Sequence, residues 1–528
     1  MLPNLIAALG LAAEIVGILL VLVVLLQRKE PPSTVAWILV LLFLPGVGAV
    51  LFLMFGRQRV RTPLRSKVAA DRELAELRAP ASMRARGQKA AARAAAQAAS
   101  KGDRPLGLSE AHDGREGDRP LGLSEAHDGR EGDRPLGLSD ELVASHVLRD
   151  LFHVSRALGA EPSHGNDVEL LVDGEATYAS LEAAINAAKH HVLAEYYLLR
   201  PDPTTDWFLD LLARAARRGV RVKLLIDGYG SFWISRRRLS ALRAAGGEVV
   251  FFLPARLILF QPMNLRNHRK IVVVDGETAF TGGINIGDEY QGKHGPWRDA
   301  HLRIAGPAVL PLSLVFAQDW RFAARRDVPP EDIERAGHAP TKGSATVAIV
   351  RSGPDIPGPE RETIHRVLFS AITSAERSVY ITTPYFIPDR SIVVALQTAA
   401  YRGVDVRILF PSKSNHPFVF QAGRSFYEEL LSAGVKIFEY GPGMIHAKTM
   451  VVDGSVSLVG SANMDLRSFR LNFEVHAVID APSLAVELTG SFESDLTVSK
   501  RIDLDEFRGR GAHLKVVEAA ARLLSPLM

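Results

Sequence analysis

The sequence predicts an α/β protein made of two duplicated halves, preceded by a pair of membrane-spanning helices. Three observations lead to this prediction. Two long apolar runs open the chain, short β-branched runs alternate with helix-like stretches that end at glycine, and four landmarks of the first half recur in the same order in the second. Buried strands between helices are typical of an α/β fold. A duplication would place equivalent residues face to face across a pseudo-twofold axis.

Residues 1–60 are expected to form a helical hairpin in the membrane. Its two runs, about 2–26 and 34–56, are almost free of charge, and each reaches the roughly 20 residues that span a bilayer. A cleavable signal peptide fits the first run poorly, because no basic segment precedes it and a second run follows. A buried core helix is the alternative for the second run. More Lys and Arg follow the second run than lie between the two, so the positive-inside rule predicts that both ends are cytoplasmic.

Residues 61–140 are predicted to be a flexible linker. The unit GDRPLGLSEAHDGRE occupies 102–116 and recurs without change at 117–131, and a partial third copy starts at Gly132. A unit so rich in glycine, proline and charge cannot bury a core, which favours a linker over a solenoid of stacked repeats.

The composition excludes several kinds of site and partner. The chain contains no cysteine, which excludes disulfides, Cys-ligated metals and a thiol nucleophile. Its 63 Lys and Arg against 59 Asp and Glu give a formal charge of +4. That charge is far from the strong basic bias of a dedicated nucleic-acid binder, so we expect no nucleic-acid partner.

Two α/β domains, 141–335 and 336–528, are predicted from the internal duplication. Four landmarks of the first half recur in the same order in the second, which makes a chance resemblance improbable. They are ARRGV (216–220) with AYRGV (400–404), LRAAGGEVVFF (242–252) with LLSAGVKIFEY (430–440), HRKIVVVD (268–275) with HAKTMVVD (446–453), and GGIN (282–285) with GSAN (460–463).

Each half carries one H-x-K-x4-D motif, and the six motif residues are the candidate catalytic residues. If the motif leads into a strand, its His and Lys point to one face and its Asp points elsewhere. We therefore expect the His and Lys to converge on a ligand and the Asp to brace the local structure. A core histidine beside a surface lysine would explain one copy, but two copies at matching positions favour a site. The residues are His268, Lys270, Asp275, His446, Lys448 and Asp453.

Asn285 and Asn463 follow the two histidines at the same spacing, after small residues that let the backbone approach a ligand. Two lysines, two asparagines and two histidines together suit a phosphodiester. The ammonium groups neutralise the non-bridging oxygens and the amides donate to them. One imidazole can attack phosphorus while the other protonates the leaving oxygen.

With these motifs the sequence resembles the phospholipase D superfamily, and within it the bacterial cardiolipin synthases. Besides the paired motifs, the resemblance rests on AWILVLLFLPGVGAVLFLMFG in the hairpin, TGGINIGDEY, TPYFIPD from Thr383, and GSANMDLRSFRLNFE from Gly460. It covers the chain from the hairpin to near the C-terminus, except for the linker. The tandem repeat is not expected of the family, but it touches no motif.

The resemblance implies two phospholipase D-like domains around one active site, with no metal and no other cofactor. Transfer would pass through a phosphohistidine, with His268 as the nucleophile and His446 as the general acid and base. A carboxylate is expected behind each histidine. Glu474 in LNFE and Asp299 in WRD fit these places, with surface salt bridges as the alternative.

The function expected from this resemblance is cardiolipin synthesis at the bacterial inner (cell) membrane, with the catalytic domains on the cytoplasmic side. Two phosphatidylglycerol molecules would give cardiolipin and glycerol. A hydrolytic phospholipase D or a nuclease would use the same residues, and a lipid-binding scaffold is a third possibility. The complete motifs favour an enzyme and the apolar hairpin favours a phospholipid substrate. The sequence leaves the preferred donor and acceptor and the oligomeric state open.

The first half also contains an apolar insertion, PARLILFQPMN (254–264), that the second half lacks. An apolar loop of this length is not expected to lie free in water. It is either a covered core segment or a lip that dips into the membrane and guides acyl chains, with Leu257, Leu259 and Phe260 as the contact residues.

Overall fold

The structure, a computed structural model, describes most of the two predicted α/β halves and parts of the N-terminal region. Almost all of the predicted linker and the apolar insertion at 255–264 lie outside the described residues. The predictions for those two segments therefore stay predictions. The described residues are 14, 16–25, 31–52, 140–254, 265–293, 295, 297–356 and 358–524.

The N-terminal region is helical where it is described, but its second apolar run is interrupted. Helix α1 spans Pro31–Phe43 and helix α2 spans Pro45–Leu51. The break at Leu44 follows from the proline ring, which cannot continue a helix but suits the first position of a new one. No helix within the described residues is long and apolar enough to cross a membrane. The predicted membrane hairpin is therefore not confirmed.

The first half alternates strands and helices as predicted. Helix α5 begins after Asp202, whose carboxylate accepts a hydrogen bond from the Thr205 N–H, and it is followed by Gly219 with a φ of +90°, a conformation that glycine adopts without strain. The elements are α3 (Asp140–Ala157), β1 (Ser163–Val172), α4 (Asp173–Ala187), β2 (His191–Tyr196), α5 (Pro203–Arg217), β3 (Arg221–Asp227), α6 (Ser240–Ala244), β4 (Glu248–Phe252), β5 (Arg266–Asn267), β6 (Ile271–Val274), β7 (Thr278–Gly282), β8 (Trp297–Arg298), β9 (Ala300–Ala305), α7 (Val309–Ala324) and α8 (Pro330–Gly337).

The second half repeats these local rules. Asp389 caps helix α10 by accepting from the Ile392 N–H, and Gly403 follows that helix with a φ of +88°. The elements are β10 (Ala345–Ser352), α9 (Thr363–Ser374), β11 (Ser378–Thr382), β12 (Phe386–Ile387), α10 (Arg390–Tyr401), β13 (Asp405–Pro411), α11 (Pro417–Arg424), α12 (Tyr427–Ser432), β14 (Lys436–Tyr440), β15 (Met444–Ile445), β16 (Thr449–Val452), β17 (Val456–Gly460), β18 (Met464–Asp465), α13 (Leu466–Arg470), β19 (Asn472–Asp480), α14 (Pro482–Thr497), β20 (Ser499–Arg501), α15 (Leu504–Arg508) and α16 (Ala512–Leu524).

One large sheet runs through both halves, and its strand order is duplicated. The first half has the order β1-β9-β7-β6-β2-β3-β4, and the second has β10-β19-β17-β16-β11-β13-β14, with β20 added at the edge. In each half the three strands at the outer end of this order are parallel and the others antiparallel. The halves meet where β1 pairs with β10. The mixed α/β fold is thus confirmed; the domain boundaries stay predictions.

The hydrophobic core crosses the junction of the halves. One buried cluster joins first-half residues such as Leu302 and Trp320 to second-half residues such as Val451, Phe473 and Val475. Burial of apolar surface stabilises such a contact by about 25 cal/mol per Å². The shared core holds the two halves in a fixed relation, which a site built from both requires.

Candidate active site

Two short strands deliver the motif histidines across the junction. Strand β5, just before His268, pairs with the start of β19 in the second half, and strand β15, just before His446, pairs with β8 in the first half. The His268 N–H donates to the Phe473 carbonyl at 2.9 Å, and the His446 N–H donates to the Arg298 carbonyl at 2.6 Å. Each histidine is therefore anchored by the half to which it does not belong.

The two predicted carboxylates lie against the two histidines in a crossed arrangement. His268 Nδ1 lies 3.0 Å from Glu474 Oε2, and His446 Nδ1 lies 2.7 Å from Asp299 Oδ2. Both carboxylates are buried, which argues against the surface salt bridges considered as the alternative. A carboxylate on Nδ1 holds the proton there and leaves Nε2 free to act on a ligand.

Different neighbours hold the two carboxylates. Glu474 accepts from the Ser461 hydroxyl at 2.5 Å and from the Asn472 amide at 3.1 Å. Asp299 accepts from the Ala300 N–H at 2.7 Å, and the equivalent of Ser461 is Gly283. A Cβ at Gly283 would lie 2.1 Å from Asp299 Oδ1, so this position has no room for a side chain.

The two motif lysines are buried beside the histidines. Lys270 Nζ donates to the carbonyl oxygen of His268 at 2.6 Å. Lys448 Nζ donates to the carbonyl of His446 and lies within 3.2 Å of both nitrogens of that imidazole. Neither lysine is among the residues that line the cavity that both histidines line. Each lysine instead bonds the carbonyl oxygen of the histidine in its own motif, and the expectation that both contact a ligand stays a prediction.

The charge state of the site is set mainly by burial. Burial lowers the pKa of His268 to about 4, against the attraction of Glu474, and lowers the pKa of His446 to about 3. Burial likewise lowers the pKa of Lys270 to about 7 and that of Lys448 to about 8. At pH 7 both imidazoles are therefore neutral, and the lysines are close to losing their charge. A phosphodiester anion beside these groups would raise all four pKa values.

The two motif aspartates brace the strands, as expected from their position. Asp275 lies at the far end of β6 and accepts hydrogen bonds from the backbone N–H groups of residues 189, 190 and 191. Asp453 lies at the far end of β16 and accepts from those of residues 376, 377 and 378. Each aspartate also has a positive φ, +54° and +52°. They fix the chain that carries His and Lys and do not face the imidazoles.

The predicted asparagines both line the cavity between the histidines. The Asn285 amide nitrogen donates to the Tyr290 hydroxyl at 2.6 Å, and the Asn463 side chain hydrogen-bonds Asp465. The side-chain oxygens of both are buried without a hydrogen-bond partner among the described residues. A half-turn of either amide would bring its NH₂ group to that position, where it could donate to an anion.

The cavity has a volume of about 680 Å³ and is lined by both halves. Aromatic rings flank the imidazoles: Tyr197 lies 4.9 Å from His268, and Tyr290 and Trp297 each lie 5.8 Å from His446, measured between ring centroids. These rings were not predicted from the sequence. The aromatic residues of GDEY and PWRD were a signal that could have found two of them.

Arg269, between His268 and Lys270, was also missed. Its fully buried guanidinium pairs with Asp319 and donates to the carbonyl oxygens of Ser352 and Glu474. The arginine thus ties the first motif to strands β10 and β19 of the second half. Its equivalent in the second motif is Ala447, so a single arginine at a motif position was the available signal.

The described residues contain no group of three or more His, Cys, Asp or Glu side chains arranged to hold a metal ion. Lys270 and Lys448 bond the carbonyl oxygens of the two histidines, and arginine side chains, among them Arg266 and Arg467, line the cavity. Chemically, the arrangement provides two polarised imidazoles, a positive environment and a cavity large enough for a phosphodiester headgroup. It can therefore support nucleophilic attack by one imidazole with proton transfer by the other.

The sequence of this chain matches two protein-family models. A family model described as "Cardiolipin synthase, PLD-like domain" matches residues 181–294 and 368–496, which include both motifs. A second model, described as "Phospholipase D-nuclease N-terminal", matches residues 15–57. The first match falls once on each half of the duplicated sheet.

Several proteins are similar over most of this chain. A cardiolipin synthase of Alkalihalophilus pseudofirmus is 36% identical over 512 residues, which cover 96% of this chain and 91% of that protein. Cardiolipin synthase 2 of Bacillus cereus is 43% identical over 72% of this chain and 74% of its own length. The major cardiolipin synthase of Bacillus subtilis is 40% identical over 69% of this chain and 76% of its own length.

Among solved structures, a phosphatidylserine synthase of Haemophilus influenzae superposes with a TM-score of 0.55. It is 15% identical and covers 72% of this chain and all of its own. At that identity the similarity concerns the fold alone.

Proposed function

This chain belongs to the cardiolipin synthase family of phospholipase D-like proteins, and from that premise we propose that it transfers a phosphatidyl group from one phosphatidylglycerol to another. The products are cardiolipin and glycerol. The observation that carries the proposal is the crossed pair of histidines, each held at Nδ1 by a carboxylate of the opposite half and both facing one cavity. Two equivalent bases around one cavity suit a reaction with two similar steps at one phosphorus.

In the first step His268 Nε2 attacks the phosphorus of the donor. Glu474 keeps the proton on Nδ1, so the lone pair on Nε2 is available and the developing imidazolium is stabilised. The bond from phosphorus to the glycerol oxygen breaks as His446 gives that oxygen a proton. His446 is neutral on its own at pH 7, so it takes up this proton when the phosphodiester anion binds beside it and raises its pKa.

In the second step the acceptor replaces the released glycerol. The terminal hydroxyl of a second phosphatidylglycerol gives its proton to His446, and its oxygen attacks the phosphorus. The phosphorus–nitrogen bond to His268 breaks, cardiolipin leaves and both histidines return to their starting state. The phosphohistidine conserves the energy of the first bond, so no nucleotide is consumed.

Lys270 and Lys448 stabilise the charge that develops on the non-bridging oxygens in both steps. An ammonium buried in a low-dielectric site acts more strongly on such a charge than it would in water. Asn285 and Asn463, which line the cavity, orient the phosphate by donating from their amides. Asp275 and Asp453 act through the backbone and do not touch the substrate.

We further propose that the protein works at the bacterial inner membrane with both catalytic halves on the cytoplasmic side. The support is the phospholipid substrate, the two apolar runs near the N-terminus and the excess of Lys and Arg after the second run. Protease added outside intact spheroplasts should leave the halves uncut, and permeabilised spheroplasts are the control. Cleavage in intact spheroplasts would reverse the proposed orientation.

The function is tested with purified full-length protein and labelled phosphatidylglycerol. We expect label in cardiolipin and equimolar free glycerol, and neither product from the His446→Ala variant. Phosphatidic acid as the main product would indicate a hydrolytic phospholipase D that uses the same residues with water as the acceptor. If no phospholipid is turned over, the alternative of a lipid-binding scaffold is favoured.

A further inference from the structure

Exposed aromatic side chains stand at the rim of the cavity in two equivalent segments, one in each half. Phe232 and Trp233, on the loop after β3, are 55% and 75% exposed, and Phe418, in the first turn of helix α11 after β13, is 68% exposed. Trp233 and Phe418 also line the cavity. Strands β3 and β13 occupy matching places in the duplicated sheet order. The duplication therefore puts an exposed aromatic residue at the same edge of both halves.

The first of these segments is held in place by its own contacts. Ile234 and Leu239 are buried beneath it, and the Ser231 hydroxyl accepts from the Leu199 N–H at 3.0 Å. The rings of Phe232 and Trp233 meet edge to face at 5.1 Å. Two large rings that remain exposed on an anchored loop are an arrangement typical of an interaction surface.

Basic residues accompany the aromatic ones in both segments. Arg236 and Arg237 follow Trp233 and are exposed, and Lys413 precedes Phe418 and is exposed. None of these three forms an ion pair with another described residue. Tryptophan settles at the headgroup level of a bilayer, phenylalanine inserts at the boundary between headgroups and acyl chains, and exposed Lys and Arg are attracted to anionic lipids. A rim that combines both is complementary to an anionic bilayer surface.

We propose that this rim, formed by Phe232, Trp233, Arg236, Arg237, Lys413 and Phe418, binds the surface of a bilayer rich in anionic phospholipid. The proposal rests on the proposed function, because the substrate is then itself an anionic lipid of that bilayer. With the rim seated at the headgroups, the cavity opens where the substrate phosphate lies. A lipid then reaches the histidines without full removal of its acyl chains from the bilayer.

Spin labels on the full-length chain test this directly, since the protein has no cysteine of its own. Nitroxides are attached to single cysteines in Phe232→Cys and Phe418→Cys, with Tyr401→Cys and Val486→Cys as matched controls. The two controls are 72% and 69% exposed and do not line the cavity. Each variant is reconstituted in phosphatidylglycerol vesicles, and collisions of the label with oxygen, which concentrates in lipid, and with a water-soluble nickel chelate are measured.

We expect the oxygen-to-nickel collision ratio at positions 232 and 418 to be several-fold above that at both controls. In an Arg236→Glu/Arg237→Glu background the ratio at position 232 should fall toward the control value. Free access of nickel to both rim positions would overturn the proposal, and so would protection from both reagents, which would indicate a protein partner. An unchanged collision ratio at position 232 after charge reversal would contradict the proposed attraction between the rim and anionic lipid.

Lipid contact of the labels is measured in a His446→Ala background, and cardiolipin synthesis is measured in the parent protein, so the two proposals are tested separately. Lipid contact of the labels together with no synthesis by the parent protein would keep the rim and refute the function. Synthesis with rim labels exposed to water would keep the function and refute the rim.

Discussion

The two histidine–carboxylate pairs have the same arrangement, but different residues support their carboxylates. Behind His268 the longer carboxylate of Glu474 is held by the hydroxyl of Ser461 and the amide of Asn472. Behind His446 the shorter carboxylate of Asp299 lies against Gly283, where even a Cβ would come within 2.1 Å of it. The length of each carboxylate is matched to the residue opposite. Duplication thus preserved the geometry of the imidazoles while the residues that support them diverged.

The pairs also differ in how firmly each is tied to the other half. Beside His268, Arg269 is fully buried and reaches two second-half carbonyl oxygens and the Asp319 carboxylate. Beside His446 the same position is Ala447. A buried arginine with its full set of partners is costly to disturb. We infer that the first pair is the more rigid of the two, which suits the histidine that we propose as the nucleophile.

The largest expected effect is the loss of kcat when either histidine is replaced, and it should be similar for the two pairs. His268→Ala and His446→Ala should each lower kcat by about 10⁴-fold or more, because a nucleophile and its acid–base partner act as one unit. Turnover of labelled phosphatidylglycerol measures the loss, and circular dichroism checks that each variant is folded. Near-normal activity in either variant would contradict the mechanism.

Replacement of the two carboxylates should have the next largest effect on kcat. Glu474→Gln and Asp299→Asn keep the shape of the side chain but can turn an NH₂ group toward Nδ1, which favours the wrong tautomer. We expect kcat to fall roughly 10² to 10⁴-fold in each. If one variant loses much less activity than the other, only one of the two crossed pairs serves the chemistry.

Exchanging the opposing residues should reveal the difference between the pairs. Gly283→Ser forces atoms into the space of Asp299, and overpacking of this kind costs about 1–3 kcal/mol. We expect a lower thermal midpoint together with a clear loss of kcat. Ser461→Gly removes the hydroxyl that donates to Glu474 and accepts from the Val475 N–H. It leaves Glu474 the Asn472 amide, so kcat should fall by less than about tenfold. Equal losses in both variants would show that the supports are interchangeable.

The smallest effect is the dependence on pH that both pairs share. The pKa of Lys270 is lowered to about 7 and that of Lys448 to about 8, so both ammonium groups lose their charge as the pH rises through these values. The free enzyme then attracts the anionic substrate less well, and kcat/KM should decline as the pH rises from about 7 through 8 and beyond. The exposed Lys515→Ala variant should keep the same profile. A flat profile to pH 10 would contradict the low pKa values.

Much of this site could be predicted from the sequence, because its chemistry lies in short motifs. His268, Lys270 and their second-half equivalents occur at fixed spacing, and duplication makes chance agreement improbable. The bracing role of Asp275 followed from its odd spacing along a strand. The α/β fold followed from the alternation of buried strands with helices that end at glycine.

What could not be predicted depends on contacts between residues far apart in the chain. The sequence around Glu474 does not indicate that its carboxylate contacts His268 and not His446. The crossed arrangement of the two histidine–carboxylate pairs arises because strands β5 and β15 each pair with a strand of the opposite half. The aromatic rings at the imidazoles and the ties of Arg269 are likewise products of the junction. The break at Leu44 in the second apolar run was accessible, because Pro45 lies within that run.

The most direct test of the account is to trap the covalent intermediate on His268. Phosphatidyl-p-nitrophenol has a leaving group that needs no proton, so the His446→Ala variant can complete the first step but lacks the base for the second. We predict a burst of nitrophenol and an alkali-stable, acid-labile phosphatidyl label that peptide mapping assigns to His268. Label on His446 in the His268→Ala variant, with none on His268 in the His446→Ala variant, would contradict the assignment of the two roles.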